Sequence, residues 1–126
     1  MRDTDYRSRA SGDEEPDAFH FALYDGDEVV GCVTYVRRQF EGSDAYQLRG
    51  MAVTGELRGK GLGRRLYERS LQHVSDETGN ELFWCNSQMR AKGFYERMGW
   101  NTAGEVFEID GVGPHVRMVL QPRSTS

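Results

Sequence analysis

Residues 45 to 74 constrain the fold more than any other stretch of this chain. Ala45 to Val53 has the composition of a strand, but its apolar alternation slips: Tyr46 and Leu48 share one parity, Met51 and Val53 the other. A period-two pattern that slips by one residue predicts a bulge, and Gly50, next to Arg49, supplies the backbone freedom for it. The strand runs through Thr54-Gly55-Glu56-Leu57 into Arg58-Gly59-Lys60-Gly61-Leu62-Gly63-Arg64-Arg65. Leu62, Leu66, Ser70 and Val74 then recur four apart with Tyr67 and Leu71 beside them, which is one face of a helix. Thr78-Gly79-Asn80 ends it.

A strand that passes through glycines into a helix start is an anion site in physical terms. The first amides of a helix have no internal partner, and the helix dipole adds partial positive charge there. Glycines let the backbone close on phosphate oxygens with no side chain in the way, and Arg58, Lys60, Arg64 and Arg65 add mobile positive charge. A pyrophosphate is the natural guest. Gly59-x-Gly61-x-Gly63 lacks the dinucleotide spacing, and the Lys-Ser/Thr of a Walker loop is missing. A glycine-rich turn with solvated charges is the plain alternative.

Around this segment the pattern reads strand, strand, strand, helix, strand, helix, strand, strand. Phe19, Phe21 and Leu23 alternate with His20 and Ala22, Asp25-Gly26-Asp27 is a hairpin turn, and Val29 to Val36 is apolar on both faces, as a central strand is. Gly42-Ser43-Asp44 marks a turn. Glu81 to Asn86 is a short buried strand. Ala91, Phe94, Tyr95 and Met98 share one helix face, with Gly99 as the C-terminal cap. The last strands run near Thr102 to Ile109 and His115 to Leu120. Residues 1–17 hold few core-forming side chains and read as a polar tail; residues 18–121 make a single domain, and residues 122–126 a frayed end.

Composition narrows the function classes. The 126 residues suit one domain. A formal net charge of -4 argues against a general nucleic-acid binder, which carries a basic face. No apolar run approaches the ~18 residues of a membrane span, and Met1 to Asp17 lacks the apolar centre of a signal peptide, so no membrane partner and a cytoplasmic compartment are expected. The two cysteines, Cys32 and Cys85, lie in apolar strand-like runs and read as reduced thiols. No ligand cluster suggests a metal.

From Phe19 to Leu120 the sequence resembles the GCN5-related N-acetyltransferase (GNAT) superfamily. Arg58-x-x-Gly61-x-Gly63 matches that family's pyrophosphate motif, and the slipped strand matches its bulged strand. Asn86, then Ala91 and Phe94-Tyr95-Glu96-Arg97-Met98-Gly99-Trp100, match its second signature. Gly113-Pro114-His115-Val116-Arg117-Met118 resembles the branch that closes on a G-P-H-x-x-M strand. The resemblance implies an α/β (α+β) fold: a mixed, mostly antiparallel, V-shaped sheet of about six strands with two helices. The family's usual N-terminal strand and helix pair would be missing here, because only a polar stretch of about seventeen residues precedes the hairpin.

The activity implied is acyl-CoA-dependent N-acyltransfer, with acetyl-CoA as co-substrate and a small-molecule or peptide amine as acceptor. The alternative is a non-catalytic CoA-binding module on a degenerate acetyltransferase fold. By resemblance, Met51, Ala52 and Val53 offer main-chain groups to pantetheine, as in strand addition. The amides of Arg58, Gly59, Lys60, Gly61, Leu62, Gly63 and Arg64 hold the pyrophosphate. Asn86 bonds pantetheine, or else caps a helix; Phe94 borders the cofactor. Tyr95 aligns with the family's general acid, which protonates the departing thiolate, and is otherwise a core aromatic. Many relatives carry a glutamate base where Arg49 stands, and arginine cannot accept a proton. His115 or a water chain is left as the base. Cys85 is not needed as a nucleophile, since the amine attacks the thioester directly. With nothing expected before Phe19 to cover the sheet edge, self-association as a homodimer through residues 19–36 is expected.

Overall fold

A computed structural model describes residues 4–10, 18–53 and 61–122; of residues 4–10 only the strand itself is described. The strands are β1 (Thr4–Ala10), β2 (Ala18–Asp25), β3 (Glu28–Arg37), β4 (Tyr46–Val53), β5 (Phe83–Gln88), β6 (Asn101–Thr102), β7 (Phe107–Ile109) and β8 (Gly113–Leu120). The helices are α1 (Leu62–Thr78) and α2 (Lys92–Arg97), the latter preceded by a 3₁₀ turn at Met89–Ala91. The sheet order is β1-β2-β3-β4-β5-β8-β6, with β7 also on β8. The β4–β5 pair is parallel, whereas β1–β2, β2–β3, β5–β8, β6–β8 and β7–β8 are antiparallel. This is the mixed, mostly antiparallel architecture expected. It divides into two compact units, Met1–Arg37 with Leu48–Asn80 and Arg38–Gln47 with Glu81–Ser126.

In the first unit α1 packs on β2 and β3. Its Leu66, Tyr67, Ser70 and Val74 are buried, the four-apart face read from the sequence. Gly31 makes the approach close, because a Cβ there would stand 3.3 Å from Leu66 Cδ2. Ser70 is the polar member of this face; it shares a 2.8 Å hydrogen bond with Tyr35 Oη and donates to the Tyr67 carbonyl at 3.1 Å. Burial without those partners would cost about 1–3 kcal/mol. Phe21 meets Tyr35 edge-on, and Phe19 and Phe21 both pack against His73. The helix closes on Gly79 at φ 73, whose N–H donates to the Ser75 carbonyl.

The second unit has a small core of Phe40, Ala45, Trp84 and Val119. The Trp84 indole N–H donates to the Arg38 carbonyl at 3.0 Å. Trp100 and Tyr95 bury together, ring centroids 5.1 Å apart, and the Trp100 N–H donates to the Tyr95 carbonyl across the left-handed Gly99.

Three sequence expectations change. The stretch read as a tail contains β1, which pairs along the whole of Phe19–Asp25, so the edge on which self-association was argued is occupied and the N-terminal strand is present. A ladder is held by main-chain hydrogen bonds and does not require apolar side chains. The strand expected near Thr102 to Ile109 is two strands, interrupted where Gly104 takes φ 104. Together these differences make the sheet eight strands rather than about six. Finally, β5 extends to Gln88, because its pairing with β8 continues to Gln88↔His115.

Candidate functional site

The site residues fall on both units, and each set has its own geometry. In the first unit β4 carries the predicted irregularity. Gly50 adopts φ 64, and burial passes from Tyr46 and Leu48 to Met51 and Val53 across it, with Ala52 exposed. Arg58, Gly59 and Lys60 lie outside the described residues. Gly61 is the N-cap of α1 at φ 77, a left-handed conformation that a side chain resists by about 1–2 kcal/mol. It offers no side-chain cap, and no acidic residue stands in the first turn of α1. The Gly61 carbonyl accepts from Arg65 N–H at 3.0 Å, the first bond of the helix.

Gly63 differs from Gly61. Its φ is unremarkable, and among the described residues a Cβ there would meet only Val53 Cγ2 at 3.6 Å, ordinary contact. Nothing described around Gly63 requires glycine. Leu62 is half-buried. Arg64 is exposed and pairs with Glu68 one turn on at 3.3 Å, a contact weak enough to be exchanged for a ligand.

In the second unit, the register Trp84↔Val119, Asn86↔Arg117, Gln88↔His115 puts these six residues on one face of β5 and β8. Asn86 is mid-strand, and the residue capping the following 3₁₀ turn is Gln88, with no side-chain cap bond. The capping explanation for Asn86 therefore falls. Its Oδ1 accepts from Arg117 Nε at 3.3 Å.

His115 is buried, with its ring 6.0 Å from that of Phe107. Its Nδ1 lies 2.9 Å from the Gly113 carbonyl. A carbonyl only accepts, so Nδ1 carries a proton and Nε2 is the nitrogen placed to take one up, the arrangement a base needs. Phe94 is half-buried on α2, edge-on to Tyr95 with centroids 5.4 Å apart, and Tyr95 is buried against Trp100. Beyond α2, Gly99 sits beside Leu120, which has the opposite parity to His115 on β8. The structure thus brings Asn86 and His115 onto one strand face, and Phe94 and Tyr95 together on a helix, without a described contact between the two pairs.

Cys85 is buried at the other parity of β5, and desolvation pushes its thiol from 9.0 up to about 12. A thiol held neutral is a poor nucleophile, which agrees with direct attack by the amine.

A family model described as an acetyltransferase (GNAT) domain matches residues 4–122. The chain belongs to the GNAT acetyltransferase family. It is 29% identical over 116 residues to the uncharacterized N-acetyltransferase YitI of Bacillus subtilis (strain 168), covering 90% of this chain and 77% of that protein. Its fold matches the crystal structure of Escherichia coli ElaA with TM-score 0.72 at 23% identity, over 83% of this chain and 69% of that one. It also matches an aminoglycoside 6'-N-acetyltransferase complexed with coenzyme A, with TM-score 0.70 at 19% identity, over 87% and 77% of the two chains. As a GNAT protein the chain is an N-acetyltransferase enzyme that uses an acyl-CoA, the first of the two activities weighed from the sequence.

Two residues of this GNAT chain that the sequence reading passed over share the face of Asn86 and His115: Gln88 and Arg117. The signal was available in part, since each lies two residues from a residue already singled out, and alternate strand residues face the same way.

Proposed function

We propose that the protein transfers acetyl from acetyl-CoA to the amine of a small-molecule or peptide acceptor. The pyrophosphate is held by the α1 N-terminus with Gly61, Leu62, Gly63 and Arg64, together with Arg58, Gly59 and Lys60 of the preceding loop. Main-chain groups of Met51, Ala52 and Val53 take the pantetheine arm in the manner of an added strand. Asn86 hydrogen-bonds that arm, and Phe94 borders it. The observation that carries the cofactor assignment is Gly61: it opens α1 in a left-handed conformation with no side-chain cap and no acidic residue in the first turn, which suits the first helix amides to an anionic ligand.

In the transfer step the neutral amine attacks the thioester carbonyl. The tetrahedral intermediate collapses with expulsion of the CoA thiolate, and the Tyr95 hydroxyl donates the proton that the thiolate takes up. His115 Nε2, directly or through water, removes the proton that the nitrogen sheds. Arg49 stands where many relatives have a glutamate, and it fills no proton-accepting role. No covalent enzyme intermediate is required.

The test is thiol release from acetyl-CoA with a panel of amines, including amino acids, polyamines, aminosugars and peptides, alongside acetyl-CoA binding by calorimetry. Amine-dependent thiol release with saturable acetyl-CoA binding is expected. Binding without turnover on any amine, or preference for a longer acyl chain, would overturn the assignment of acetyl transfer.

A further inference from the structure

Asn86 hydrogen-bonds Arg117, and the chemistry of that pair has a direction. Arginine has only donors. An asparagine amide facing it must therefore turn its oxygen inward, as Oδ1 does at 3.3 Å from Arg117 Nε. Flipping the amide would set two donors against each other. The Asn86 NH2 group is consequently the end left to face a ligand.

Arg117 is itself held in place. Its guanidinium carbon lies 4.9 Å from the centroid of the Trp84 ring, a cation–π contact. Trp84 is in turn anchored by its indole bond to the Arg38 carbonyl and packed with Phe40. Among the described residues no carboxylate pairs with Arg117, so its charge acts on the Asn86 amide and polarises it toward stronger donation.

We propose that Arg117 is a positioning residue which locks the Asn86 amide so that its NH2 donates to an amide carbonyl of the acyl-CoA pantetheine arm. This rests on the assignment of Asn86 to that arm. It adds a polarity, since the ligand group at Asn86 must be an acceptor, and a residue to which no role had been given.

Calorimetric dissociation constants for CoA, with kcat and KM for acetyl-CoA, test it on the full chain. Asn86→Asp keeps an oxygen for Arg117 but has no NH2, and should weaken CoA about tenfold. Arg117→Met keeps bulk over Trp84 but has no donor. It should weaken CoA about threefold to fivefold through KM, with kcat within about twofold of wild type. The decisive variant is Asn86→Ala/Arg117→Met. If Arg117 acts through Asn86, the double variant binds CoA no more weakly than Asn86→Ala alone.

Additive losses, or full CoA affinity in Arg117→Met beside a weakened Asn86→Ala, would overturn the role of Arg117 and leave Asn86 as a ligand contact. Full CoA affinity in Asn86→Ala would overturn the Asn86 assignment, and the role of Arg117 with it. Thermal melting of each variant separates these outcomes from loss of folding.

Discussion

The candidate groups of the two units are different parts of the chain. In the first unit the candidate groups are main-chain: the β4 backbone beyond the turn at Gly50 and the amides that open α1 after Gly61. In the second they are side chains, each with its direction fixed by a neighbour. His115 is held by the Gly113 carbonyl, Asn86 by Arg117, and Tyr95 by its packing on Trp100. A backbone site is specified by where side chains are absent, and a side-chain site by where strands pair. The first should therefore respond to added bulk in affinity, and the second to lost polar atoms, in rate at Tyr95 and His115 and in affinity at Asn86.

The largest expected effect tests the second half of that contrast. Tyr95→Phe removes one hydroxyl and keeps the ring on Trp100. Turnover should fall ~10²-fold, the low end for general acid catalysis, while CoA affinity measured by calorimetry stays within about twofold. Full turnover on an accepted amine would return Tyr95 to a packing role.

Next is His115→Asn, whose amide NH2 can still donate to the Gly113 carbonyl but which has no ring nitrogen to take a proton. A tenfold or greater loss of kcat, by stopped-flow or steady-state assay, is expected with little change in melting temperature. An unaltered kcat would assign proton removal to water.

Gly63→Ala tests the first half of the contrast. Alanine is the better helix former by roughly 0.8–1.0 kcal/mol, and among the described residues its Cβ meets only Val53 Cγ2 at 3.6 Å, so the melting temperature should hold or rise. CoA affinity should fall about tenfold with kcat at saturation unchanged, because ground-state phosphate contacts are what the methyl displaces. A variant that binds CoA normally would remove Gly63 from the ligand.

The smallest effect on activity is expected from Cys85→Ala, which should leave turnover at neutral pH nearly unchanged in a thiol-release assay. Its signature lies in alkaline stability. Burial raises the folded thiol from 9.0 to about 12, so the folded state binds the proton more tightly than the unfolded state. The stability this contributes is complete below about pH 9 and is lost as pH rises towards 12. Denaturant titrations should show a steeper decline over that range in wild type than in the variant. Equal declines would mean that the thiol is solvated.

The same contrast marks what was legible in the sequence. The positive φ at Gly50 in β4, the four-apart face of α1 and the left-handed Gly61 and Gly79 follow from period and glycine placement within a few residues. The pairing of Asn86 with Arg117 spans thirty-one positions and depends on the β5–β8 register, which no local pattern states. The glutamate expected from the family at Arg49 was visibly absent, but the neighbours that would orient His115 were not visible.

Sequence alone, then, determined the elements whose physics is local: a strand whose pattern slips at a positive-φ Gly50, a helix that opens on a left-handed Gly61, and one apolar face along that helix. The tertiary structure decided the rest. It made a strand of Thr4–Ala10 because β2 offered an open edge, and strand edges are satisfied by any backbone that reaches them. It carried β5 on to Gln88 because β8 lay alongside, and it set Asn86, His115 and Arg117 on one face. Register is a property of two strands together, so neither strand's sequence contains it.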